Sequence, residues 1–109
     1  MAKYLIEAAY GNEGLKGLIK EGGTGRRAAV DAAAKALGGH VEALYWGFGT
    51  DDVYGIIEAP DNVSAAAFAL AVGATGALGH FKTTVLLTAD EVDQAAKKSA
   101  GLGYRAPGH

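Results

Sequence analysis

Residues 40–59 read HVEALYWGFGTDDVYGIIEA. Aromatic and β-branched residues crowd both halves of this stretch, and Gly49-Thr50-Asp51 interrupts it. The pattern predicts a strand from His40 to Phe48, a tight turn at Gly49-Thr50-Asp51, and a strand from Asp52 to Ala59. A turn this short joins only antiparallel neighbours, because a parallel crossover needs a dozen or more residues. An all-parallel α/β sheet is therefore disfavoured. A three-residue loop would pair Phe48 with Asp52, Trp46 with Tyr54, Leu44 with Ile56 and Glu42 with Glu58. The two carboxylates of that last pair would need a cation such as Lys82 beside them, or a proton held between them.

Reading outward from this hairpin, Lys3 to Tyr10 is a short apolar and aromatic run that stops at Gly11-Asn12, and it reads as the first strand. A helical stretch follows from Asn12 to Leu37. It is interrupted at Gly22-Gly23-Thr24-Gly25, since glycine costs about 1 kcal/mol per helix position relative to alanine, and it ends at Gly38-Gly39. Beyond the hairpin, Pro60 closes the third strand and Asp61 is placed to cap a helix over Asn62–Ala74. His80–Leu87 makes a fourth strand. Thr88 and Glu91 have the spacing of a capping box for a last helix, Ala89–Ala100. The order β-α-β-β-α-β-α predicts an α+β fold, a ferredoxin-like sandwich with a four-stranded antiparallel sheet and an extra C-terminal helix. Residues 1–100 form one domain, and 101–109 form a tail lying over a surface.

Composition narrows the function classes. The chain has 109 residues, half of them apolar and 20% charged, which suits one domain with a real core. Its net charge of −2 lacks the basic field of a nucleic-acid binder. Cysteine is absent, which removes disulfides, thiolate metal sites and a Cys nucleophile. No apolar run reaches the roughly 18–20 residues of a membrane span. Glu7 stands too early for a secretory leader, so a cytoplasmic location is the default expectation. No Walker or Gly-x-Gly-x-x-Gly pattern is present, and no cofactor is expected. His40 and His109 do not form a helical pair, and Asp51-Asp52 alone rarely completes a coordination shell, so no metal site is expected. The plainer role for the two aspartates is to form the turn.

Strand residues alternate between faces. With three helices over one face, the other would expose Leu5, Leu44, Trp46, Tyr54 and Ile56, a larger apolar patch than monomers usually carry. A second copy, sheet against sheet, is the simplest cover. Glu7, Glu42, His80 and Lys82 would then line a partly wet chamber. In such a chamber His80 would move a proton and Lys82 would stabilise an enolate-like charge. The plainer reading of His80 is a histidine hydrogen-bonded within the sheet. Glu7, Trp46 and Tyr54 are candidate ligand-binding residues, the aromatics also being natural dimer core, and the pocket lies either between sheet and helices or within the dimer barrel. Arg26, in the glycine-rich segment Gly22–Arg27, is a candidate for binding an anionic group. The plainer reading there is a kinked helix whose arginines pair with Glu21 or Asp31.

Gly49-Thr50-Asp51-Asp52 and Glu58-Ala59-Pro60-Asp61 resemble motifs of the GYD-domain family. So do Glu13-Gly14-Leu15-Lys16, the Gly22–Arg27 segment, Leu37-Gly38-Gly39 and Thr83-Thr84, spread over nearly the whole chain. The resemblance implies the dimeric α+β barrel superfamily, and hence a homodimer or higher homo-oligomer. It is compatible with a small-molecule-binding protein, a cofactor-independent isomerase or oxygenase of a small organic compound, or a non-catalytic assembly or effector-binding protein. The chain departs from the name-giving Gly-x-Tyr-Asp motif by carrying Asp51 at the tyrosine position.

Overall fold

The computed structural model describes residues 1–109. Seven elements follow in chain order: β1 (Ala2–Tyr10), α1 (Asn12–Ala36), β2 (His40–Trp46), β3 (Val53–Ala59), α2 (Asn62–Gly73), β4 (Leu78–Leu86) and α3 (Ala89–Ala100). They form one antiparallel sheet in the order β2-β3-β1-β4, with β1 and β3 central. The fold is α+β and ferredoxin-like, as the element order predicts.

Each boundary has a local cause. α1 is kinked at Gly22, whose φ of 79° lies in the left-handed region that favours glycine. It ends in a Schellman motif: the Gly39 N–H reaches the Ala34 carbonyl at 2.9 Å, and the Gly38 N–H reaches that of Lys35 at 3.0 Å. Gly38 takes φ +85° to close it. α2 starts where the Asp61 carboxylate accepts the Ser64 N–H at 2.8 Å. That backbone hydrogen bond is the main cause holding the Asp61 carboxyl below its usual 3.8. Stability from the cap is therefore fully present above that value and lost as pH falls through the lower, folded one. Asp61→Ala is expected to lower Tm at neutral pH, with wild type and variant converging in strong acid; an equal gap at both pH values would refute the cap. α3 carries the full Thr88–Glu91 capping box.

The core lies between α1, α2 and one sheet face. Tyr4, Ile6, Ile57, Ala59, Ala65 and Phe68 are buried together. The Tyr4 hydroxyl donates to Asn62 Oδ1 at 2.7 Å, tying the middle strand to the start of α2.

Three expectations are corrected. The β2–β3 connection spans six residues, Gly47–Asp52, not a three-residue turn. A register shift between Val41 and Ala43 adds a bulge. Tyr45, not Trp46, therefore opposes Tyr54, and Leu44 and Trp46 oppose Gly55 and Val53. A one-residue slip reverses faces, so Leu44 and Trp46 point under the helices rather than onto the open face.

Second, only α1 and α2 cover the sheet. No residue of α3 is buried, and Leu87, Val92, Leu102 and Tyr104 stand exposed along this arm and its flanks. The chain is accordingly extended, with a radius of gyration of 17.1 Å against about 13 Å for a compact chain of this length. Third, residues 101–109 are exposed throughout rather than laid over a surface.

Candidate functional site

The pairing places the open face in rows across the strands. One row holds Ala43, Ile56, Leu5 and Thr84, and the next holds Tyr45, Tyr54, Glu7 and Lys82. Beyond them His80 on β4 sits beside Ala9 on β1. Lys82 Nζ lies 3.7 Å from Glu7 Oε1, and His80 Nε2 lies 3.8 Å from Asp51 Oδ1. Glu7, Tyr54, His80 and Lys82 are thus gathered at one end of the uncovered face.

The opposite end carries a separate charge cluster. Lys3 Nζ donates to Glu42 Oε1 at 2.8 Å and lies 3.8 Å from Glu58, which also meets His40 Nε2 at 2.7 Å. The cation beside Glu42 and Glu58 is Lys3, not the expected Lys82, which is committed to Glu7. The hydrogen bond that the Lys3 ammonium donates to Glu42 is the main cause raising its pKa above the usual 10.5. What this pairing adds to stability is present below that value and is lost as pH rises through the folded one. Leu5, Ile56 and Ala43 separate the two charged ends.

Trp46 and Arg26 belong to the other side of the sheet. Trp46 Nε1 donates to the Tyr10 hydroxyl at 3.2 Å, and its ring lies 3.9 Å from the place a methyl on Gly23 would take. A cavity of about 80 Å³ lies here under the helices, lined by Trp46, Arg26, Leu44, Phe68 and Phe81 among others. It is smaller than the roughly 150 Å³ that accepts benzene in an engineered core, so by itself it is a packing gap. It adjoins an open groove of about 380 Å³ between α1 and α2. Arg26 pairs with Glu21 at 3.5 Å and Arg27 with Asp31 at 3.1 Å, so both arginines have partners in their own helix. Trp46 and Tyr54, on opposite faces, do not form one aromatic wall.

The sequence assigns Asp51 and Asp52 to the turn in preference to a cation site. Asp52 does anchor the loop: Oδ2 accepts the Tyr10 N–H at 2.9 Å, and the Asp52 carbonyl accepts the Gly47 N–H at 3.0 Å. The Asp51 side chain is instead buried beside His80. Only the true loop length brings the two together, and the residue pattern does not disclose it.

No cluster of three or more His, Asp or Glu side chains with metal-holding geometry is present, and no helix is long and apolar enough to cross a membrane. The sequence model of the GYD domain matches residues 4–96, so the chain belongs to the GYD-domain family. No curated protein and no solved structure matches it.

Proposed function

We propose that the protein is a homodimer whose open sheet faces close on one another, and that the chamber so formed binds a small organic molecule. The carrying observation is the group Glu7, Tyr54, His80 and Lys82 at one end of an uncovered sheet face, beside the row of Leu5, Ile56 and Ala43 that separates it from the second charge cluster. Four strands of seven to nine residues offer a face about 19 Å by 26 Å. The α3 arm adds a helix about 18 Å long. It follows β4, an edge strand of the sheet, and exposes Val92, an apolar residue that a second copy could cover. Together these surfaces approach the roughly 800 Å² per partner of a standard interface.

A carbonyl compound with an acidic C–H suits the chamber. The His80 imidazole takes the proton as the C–H bond breaks, and the electron pair moves to the carbonyl oxygen. The Lys82 ammonium stabilises the resulting enolate; where a carbon–carbon double bond is conjugated with it, the electron pair returns from oxygen as the carbonyl re-forms, and His80 gives the proton to the far carbon, which completes a double-bond isomerisation without a cofactor.

The test is a thermal-shift screen of the full chain against small lactones and aromatic carboxylates, with deuterium incorporation followed in any compound that binds. A binder should raise Tm progressively with concentration. Lys82→Ala should abolish the rise, and His80→Ala should abolish exchange while the dimer persists. A dimer that responds to no compound would instead be an assembly protein, and the chamber only its interface.

A further inference from the structure

Asp51 is the one charged residue that is buried, at 6% exposure, and its Oδ1 has no hydrogen-bond partner. A buried acceptor left unpaired is costly, and native interiors tolerate few of them. Two backbone donors of this region have other acceptors. The Gly49 N–H goes to the Asp51 backbone carbonyl, and the Tyr10 N–H goes to Asp52. The basic side chain that approaches Asp51 Oδ1 is His80, whose Nε2 lies 3.8 Å away and whose side chain is half-exposed. Ala9, a small residue, lies beside His80 in the sheet. Of the other titratable groups on this face, Lys82 and Glu7 in the adjoining row are paired with each other.

We propose that Asp51 is the positioning residue for His80. Its Oδ1 accepts the Nε2–H of the imidazole, an adjustment of about 1 Å that brings the pair to charge-assisted hydrogen-bond length. This fixes the tautomer: the proton stays on Nε2 and Nδ1 is the basic nitrogen, as a carboxylate orients a catalytic histidine elsewhere. The proposal rests on the reading of His80 as the proton-moving group, and it gives the aspartate at the family's tyrosine position a chemical task.

Nitrogen-15 NMR of the full chain labelled at histidine tests it, with the His80 signals assigned from His80→Gln. No ligand is needed, so the result is separate from that of the compound screen. Wild type should show the proton on Nε2, protected from exchange. Asp51→Ala should lose that protected signal, the imidazole dividing between tautomers. Asp51→Asn, whose amide oxygen still accepts, should keep it and serves if the alanine variant fails to fold. A wild-type His80 protonated on Nδ1, or an unchanged tautomer in Asp51→Ala, would overturn the proposal. A purely structural Asp51 would move Tm, since removing an unpaired buried acceptor changes stability, and would leave the tautomer alone.

Discussion

Leu5→Asp is expected to turn the proposed dimer into a monomer without unfolding it. Leu5 sits mid-strand in β1, flanked by Ile56 and Thr84, in the apolar row between the two charged ends of the open face. In an isolated chain a carboxylate there faces water, and the cost is a modest loss of strand preference, on the order of 1 kcal/mol. In a sheet-to-sheet dimer related by a two-fold axis the same carboxylate appears twice in the dry centre of the interface. An unpaired buried charge costs about 3–5 kcal/mol, so dissociation should rise by at least about 100-fold. Ile19→Asp is the control. Ile19 is 84% exposed on α1, on the helix side of the sheet, and a charge there should leave the mass unchanged. Light scattering with circular dichroism reads both. A folded Leu5→Asp protein that stays dimeric would place the interface elsewhere.

Gly39→Ala is expected to cost the most stability of any single-methyl change in the chain. A methyl at Gly39 would overlap the Glu58 carbonyl oxygen, and the Glu58 carbonyl carbon and Ala59 Cα lie only 2.9 and 3.1 Å from it. These are backbone atoms of β3, so no side chain can swing aside. The strand start at His40, which pairs with Glu58, would be pushed off its neighbour while the Schellman hydrogen bond from the Gly39 N–H holds the chain from behind. A loss of roughly 4 kcal/mol is expected, in the range reserved for severe backbone or core damage. Gly17→Ala should have the opposite sign. It lies inside α1 with nothing near its missing methyl, and gains about 0.5–1 kcal/mol from helix preference. Urea denaturation separates the two. A Gly39→Ala midpoint close to wild type would mean that the β2–β3 edge is loosely held.

The elements whose ends are set by local chemistry were legible in the sequence. Asp61, the Thr88–Glu91 box and the Gly38-Gly39 stop each act within one turn of helix, so a few adjacent residues specify them. The faces of β1 were legible too, because Tyr4, Ile6 and Ala8 alternate cleanly with Lys3, Leu5 and Glu7. The faces of β2 were not. Both of its alternating sets contain large apolar residues, and two non-local details, a bulge at Glu42 and a six-residue connection, shift Trp46 to the helix side. The candidate site divides along the same line. Glu7 and Lys82 meet because β1 and β4 pair in simple register, whereas the approach of Asp51 to His80 depends on how a loop folds back across β1. The position of α3 was also beyond local reading, since an amphipathic helix reveals that it needs a partner and not where that partner lies.

Sedimentation equilibrium of the wild-type chain at low micromolar concentration tests the covered-sheet account most directly. The account predicts a single species of twice the 11.0 kDa chain mass; a single folded species of 11.0 kDa would contradict it.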